Sequence, residues 1–261
     1  MSISQQKRLP SMSTAMKSAF VLSVILVGGW VPAADFTPAK QVRIVLVGDS
    51  TVASYPRPPA DRPDLTGWGQ VLSEFFTDRV MIMNRAVSGR SSKSFIHEGH
   101  WKKSLAEKPD YVFIQFGHND GPGKGPDRAT DAAGDYRDYL RQYLAESRAI
   151  GAKPILVTPV ARRLFPIDPE KDSLTPYVNA MKAVAAEEHV PLIDLHRTSS
   201  ELFKTLGDEG SADLTASATD RTHFSRKGGM AMAQLIVDQL PAAEPALAAF
   251  LKPDAVKTKT P

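Results

Sequence analysis

The segment Thr219–Asp220–Arg221–Thr222–His223–Phe224–Ser225 sets a carboxylate three residues before an imidazole. Far upstream, Gly48–Asp49–Ser50–Thr51 sets a hydroxyl directly after an apolar run. A serine hydroxyl becomes a nucleophile when a base lies within hydrogen-bond reach and a third group orients that base. Three residues of a bent loop suffice to bring Asp220 against one ring nitrogen of His223, leaving the other for Ser50 Oγ. Between these blocks lie Asn84–Arg85–Ala86–Val87–Ser88–Gly89–Arg90–Ser91 and Gly117–His118–Asn119–Asp120. They offer the Gly89 N–H and the Asn119 side-chain amide, which together with the Ser50 N–H could stabilise a tetrahedral oxyanion. Nucleophile, oxyanion donors, base and orienting acid together point to serine-type ester hydrolysis.

Each block alone has a plainer explanation. A Ser after a strand is also a good helix N-cap. A Gly in a loop also makes a turn. Asn119, followed by Gly121–Pro122–Gly123, could form an Asx-turn. Asp-x-x-His is common. The Ser50 segment also lacks the Gly-x-Ser-x-Gly elbow of the α/β-hydrolases, because Val52 takes the last position.

The elements that must position these residues follow from hydropathy. Gln41–Val47, Val80–Asn84, Tyr111–Gln115, Pro154–Thr158 and Val190–Asp194 read as short strands apolar on both faces, the pattern of a parallel sheet covered on both sides. Helical patterns alternate with them at Trp68–Phe76, Ala132–Ile150, Pro176–Glu188 and Lys227–Leu240. Gly151 stands where a left-handed helix C-cap is expected. The expected fold is a single-domain, doubly wound α/β protein of flavodoxin-like type. Its five-stranded parallel sheet lies in a three-layer α/β/α sandwich, with ligands at the carboxyl ends of the strands. Every chemical block named above falls at such an end.

The chain of 261 residues carries 32 basic and 29 acidic residues. Lys7, Arg8 and Lys17 all precede the first acid, Asp35, and with these three set aside the charges balance. Nothing suggests a nucleic-acid-binding stripe. The same three cations, the apolar run Ala19–Trp30 and the small-residue site Val31–Pro32–Ala33 read as a secretory signal peptide over residues 1–33. The alternative, an uncleaved anchor, has an apolar run shorter than the about 20 residues a span needs. The expectation is export to the periplasm or the medium, an esterase domain over 34–250, no stable membrane insertion after cleavage, and a C-terminal tail over 251–261 that frays. There is no Cys, which removes disulfides, thiolate metal sites and a cysteine nucleophile.

Taken together, the motifs resemble the SGNH (GDSL) hydrolases, whose four naming residues match Ser50, Gly89, Asn119 and His223. Within that superfamily the chain is similar to the rhamnogalacturonan acetylesterase group, carbohydrate esterase family 12. The matching text includes Gly67–Trp68–Gly69–Gln70, Asn84–Ser92, Gly117–Asp120, Thr158–Pro159–Val160–Ala161–Arg162–Arg163 and Asp220–Phe224. The resemblance implies a serine esterase with Ser50, Asp220 and His223 as catalytic residues and no metal or cofactor. It implies removal of acetyl groups from pectic polysaccharide. Acetylxylan, short acyl esters, lysophospholipids or thioesters are the alternative substrates on the same scaffold. The proline-rich segment Pro56–Pro63 after Ser50 departs from the pattern and stands where a cleft wall would.

A pectic backbone is anionic, and four arginines fall near the reacting groups. Arg90, Arg162, Arg163 and Arg221 are candidate substrate contacts, with bracing of the loops as the competing role. His97–Glu98–Gly99–His100 fails the zincin spacing by one residue and reads as a helical face. Gly121–Gly125 reads as a loop. His189 and His196 read as surface or core-edge histidines. Asp49 and Asp120 read as acceptors for loop N–H groups.

Overall fold

The computed structural model describes residues 41–168 and 170–257; the signal-peptide reading and residues 258–261 lie outside them. Five parallel strands, β1 (Val42–Gly48), β2 (Val80–Asn84), β3 (Tyr111–Gln115), β4 (Lys153–Val157) and β5 (Leu192–Ile193), form one sheet. Its order is β2-β1-β3-β4-β5, the doubly wound arrangement expected. β1 is an interior strand, pairing Ile44 with both Ile82 and Tyr111.

The alternation along β1 explains the three layers. Ile44 and Leu46 join one apolar cluster, Val45 and Val47 the other, because successive strand side chains point to opposite faces. The first face is covered by α1 (Trp68–Val71), which runs into a 3₁₀ turn over Leu72–Phe75. The second is covered by α2 (Ser92–His97), α3 (His100–Leu105), α4 (Asp135–Ala149) and α5 (Thr175–Glu187). The chain then returns to the first face as α6 (Leu195–Gly210, interrupted at Gly207), α7 (Arg226–Val237), α8 (Leu240–Ala243) and α9 (Pro245–Ala248). Gly151 has φ 79° just past α4, the left-handed cap anticipated.

Several expectations need correction. His97 and His100 do not share a helical face: Gly99, at φ 77°, ends one short helix and begins the next. β5 is two residues rather than five, since Pro191 has no N–H to donate and Asp194 turns away to cap α6 by accepting from Arg197 N. α6 itself was not anticipated, because its apolar positions are sparse among Lys, Glu and Thr. The fraying tail is instead docked as far as Lys257. Lys252 N donates to Phe75 O, Gln234 Nε2 donates to Ala255 O, and Lys257 N donates to Asp238 Oδ1. No helix among the described residues is long and apolar enough to cross a membrane.

Candidate active site

Ser50 sits in a turn immediately past β1 and is buried, 8% exposed. Asp49 makes that turn. Its Oδ1 accepts from Thr51 N at 2.9 Å and Thr51 Oγ1 at 2.8 Å, and its carbonyl accepts from Val52 and Ala53 N. Tyr55, at the start of the proline-rich segment, donates its hydroxyl to Ser50 O at 2.8 Å.

His223 reaches this turn from the loop between the 3₁₀ turn Ala212–Leu214 and α7. Its Nε2 lies 2.9 Å from Ser50 Oγ and its Nδ1 lies 2.9 Å from Asp220 Oδ2. Asp220 Oδ1 accepts from the N–H groups of Thr222 and His223, both at 2.9 Å. Burial works to raise the Asp220 pKa. The backbone N–H bonds from His223 and Thr222 and the imidazole outweigh it, and hold the carboxyl below its ordinary value. The loop is clamped by close approach of backbones: a Cβ on Gly228 would stand 1.9 Å from Leu214 O, and Ser225 caps α7 by accepting from Gly228 N.

Three donors at the carboxyl ends of the strands keep hydrogens unspent. The N–H groups of Ser50 and Gly89 have no partner among the described residues. Gly89 has φ 78°, a left-handed conformation that aims its peptide without strain only for glycine. Asn119 Nδ2 donates one hydrogen to Arg90 O at 3.2 Å and keeps the other. Val87 N donates to Gly48 O at 3.0 Å, so the Gly89 loop lies against the end of β1.

A buried polar chain underlies these groups. Trp68 Nε1 donates to Gln115 Oε1 at 2.9 Å, and Gln115 Nε2 donates to Thr51 Oγ1 at 2.6 Å. Thr51 bonds Asp49, and Asp49 Oδ2 lies 3.1 Å from His118 Nδ1. His118 Nε2 donates to Val160 O at 3.0 Å. Burial opposes the charge on Asp49, but His118 and Thr51 outweigh it and hold its pKa down. His118 thus ties the residue before Ser50 to the residue before Asn119. Sequence reading missed His118 and Gln115; a glutamine inside an otherwise apolar strand is the signal that could have found the network.

Asp120 braces the opposite side. Its Oδ1 accepts from Ser92 N at 3.0 Å, Ser92 Oγ at 2.5 Å and Thr130 Oγ1 at 3.3 Å. Its Oδ2 is buried without a partner. Burial dominates here, with the Asp49 charge adding to it, and the carboxyl is pushed up to about 7. Asp49 and Asp120 are loop acceptors, as their sequence context suggested.

The four arginines divide. Arg163 is 3% exposed and spends Nε on Ser211 Oγ at 2.7 Å and Nη2 on Asp208; it braces loops and is withdrawn as a substrate contact. Arg221 pairs with the same Asp208. Arg90 pairs with Glu98 at 2.8 Å. Arg162 donates only to His118 O, at 3.4 Å. A fifth arginine went unforeseen: Arg62, from the proline-rich segment, places Nη1 3.4 Å from Asp220 Oδ2. His196 is buried against Asp172 Oδ2 at 2.9 Å, whereas His189 is exposed. Among the described residues no group of three or more His, Cys, Asp or Glu is placed to hold a metal.

Residues 46–230 match the GDSL-like lipase/acylhydrolase family. Two Bacillus subtilis proteins are similar over most of their length. The one named probable rhamnogalacturonan acetylesterase YesY is 40% identical over 198 residues, covering 74% of this chain and 89% of the relative. Rhamnogalacturonan acetylesterase RhgT is 36% identical over 215 residues, covering 76% and 89%. Among solved structures, protein YxiM of B. subtilis superposes with a TM-score of 0.66 at 27% identity, covering 78% of this chain. The chain spans 57% of that larger molecule.

Proposed function

The chain belongs to the GDSL-like lipase/acylhydrolase family and is a carboxylic ester hydrolase, and on that footing we propose that it removes O-acetyl groups from plant cell-wall polysaccharide, pectic rhamnogalacturonan first. The observation that carries the chemistry is the unbroken relay Ser50 Oγ–His223–Asp220, with both links at 2.9 Å. Its two relatives named for rhamnogalacturonan esters support the choice of substrate.

In the proposed mechanism Ser50 Oγ attacks the acetyl carbonyl as His223 Nε2 takes its proton. Asp220 holds Nδ1–H, fixing the tautomer and stabilising the imidazolium. The oxyanion is met by the unspent Ser50 and Gly89 N–H groups and the free hydrogen of Asn119 Nδ2. His223 then returns its proton to the departing sugar hydroxyl. Water, deprotonated by His223, attacks the acetyl-serine and releases acetate.

Acetate release from acetylated rhamnogalacturonan and acetylated xylan, compared for the wild type and Ser50→Ala, tests this reading. The variant should be inactive with an unchanged melting curve, and the wild type should favour the pectic polymer. Turnover retained in Ser50→Ala would sink the serine mechanism; equal kcat/KM on both polymers would reduce the assignment to a general sugar acetylesterase. Export after cleavage near Ala33 belongs to the same proposal, and N-terminal sequencing of the secreted protein checks it.

A further inference from the structure

Of the four arginines that the sequence singles out, Arg162 is the one without a carboxylate partner among the described residues. Arg90, Arg163, Arg221 and Arg62 each pair with a carboxylate. Arg162 has no acid within ion-pair distance among the described residues, its one hydrogen bond is the long contact to His118 O, and its Nε is buried without a partner. A guanidinium carries five N–H donors in a fixed fork suited to a carboxylate. Leaving most of them unspent beside a cavity is costly unless something else supplies the acceptor.

That cavity exists. Arg162 lines a small, partly enclosed space of about 150 Å³ together with Leu164, Pro166, Ile167, Asp172 and His196. Leu164 is 52% exposed, one of few large apolar side chains so placed. With Pro166 and Ile167 it makes an apolar wall on the cavity. Asp172 shares the space and feels the charge of Arg162, but stands outside ion-pair distance of it. Its Oδ2 is engaged by His196 and its Oδ1 accepts from Leu174 N at 2.9 Å. Asp168, also on the cavity, gives Oδ1 to Glu170 N and Oδ2 to Lys171 at 3.4 Å. The acids are committed, so the cation and the wall remain.

The cavity also lies beside the reacting groups. Arg162 bonds the carbonyl of His118, whose next residue is Asn119. Arg163 N donates to Arg221 O at 2.8 Å, joining the same segment to the loop between Asp220 and His223. These bonds place Arg162 next to the segments that carry Asn119 and His223.

We propose that this cavity is a subsite for a uronate ring next to the acetylated sugar, with Arg162 as the carboxylate ligand and Leu164, Pro166 and Ile167 against the ring's apolar face. The inference rests on the pectic reading above and adds the residue that would enforce it.

Binding separates the subsite from the chemistry. Titrate the inactive Ser50→Ala protein, by calorimetry, with a deacetylated rhamnogalacturonan oligosaccharide and with its carboxyl-reduced counterpart. The uronate oligosaccharide should bind roughly ten- to hundredfold more tightly, the scale of one charge-assisted hydrogen-bonded contact. Adding Arg162→Gln should erase that preference, and Arg162→Lys should restore part of it. Leu164→Asp, at an exposed position that does not endanger folding, should weaken the carboxylated ligand more than the reduced one. Equal affinity for the two oligosaccharides in the Arg162 parent, or a preference untouched by Arg162→Gln, overturns the subsite. Wild-type acetate release from the acetylated polymer is measured alongside: its persistence in those cases leaves the pectic reading standing, and its absence removes that reading instead.

Discussion

Asp120 should make the protein less stable as the medium turns from acid to neutral, the reverse of Asp49, Asp172 and Asp220. Its ordinary pKa of 3.8 is raised to about 7 in the fold. The folded state therefore holds its proton over a range where the unfolded chain has released it. A raised folded pKa contributes stability that is full below the unfolded value and lost as pH climbs to the folded one. Within that window the loss runs at about 1.4 kcal/mol per pH unit. Between pH 5 and about pH 7, where the folded carboxyl itself lets go, the loss comes to roughly 2 kcal/mol, and above that it levels off. Asp49, Asp172 and Asp220 have lowered pKa values and act with the opposite sign at lower pH, so the wild-type curve alone does not isolate Asp120. Asp120→Asn does, because Asn retains an acceptor for Ser92 and Thr130 but cannot titrate. Urea unfolding of both proteins at intervals from pH 5 to pH 8 should show the variant gaining on the wild type by about 2–3 kcal/mol across the range, whatever its starting offset. A constant difference would refute the reasoning: Asp120 would then be ionised throughout, with an unseen partner at Oδ2.

Two further outcomes test the proposed chemistry. Asn119→Ala should lower kcat by roughly 10²–10³, the usual loss for one oxyanion donor, with little change in KM; a rise in KM alone would make Asn119 a loop anchor to Arg90. Asp220→Asn should lower kcat by up to about 10⁴, the scale for neutralising the triad acid of a serine protease. If the Asn oxygen keeps the Thr222 and His223 N–H bonds, its amide faces Nδ1, forces the hydrogen to Nε2 and leaves nothing to accept the Ser50 proton. A loss below tenfold in stopped-flow turnover would show that orientation comes from elsewhere.

The fold and the reacting constellation were legible because both are written in short-range patterns. Doubly apolar runs such as Val42–Val47 and Tyr111–Gln115 have few alternatives to a parallel sheet, and a sheet wound this way gathers its carboxyl-end loops without further instruction. Asp220 and His223 are three residues apart, so their contact is nearly local. What the sequence obscured depends on long-range partners. Arg163 and Arg162 are adjacent and chemically identical, yet one is sealed against Asp208 and the other faces a cavity; only the placement of α6 decides between them. His97 and His100 looked helical because Gly99 costs just about 1 kcal/mol within a helix, too little to mark a break. The docking of residues 252–257 likewise depends on distant partners, Phe75 O, Gln234 and Asp238, that composition does not reveal.

The buried chain from Trp68 through Gln115, Thr51, Asp49 and His118 to Val160 divides the labour of the molecule. Asp49 and His118, each next to a proposed reacting residue, are held by bonds among buried groups, whereas the proline-rich segment and residues 164–168 are exposed or half-buried. The separation is incomplete, because Tyr55 bonds Ser50 O, Arg62 approaches Asp220 and Arg163 N bonds Arg221 O. A change of substrate made in these segments is therefore free of the chemistry only where it spares those three residues.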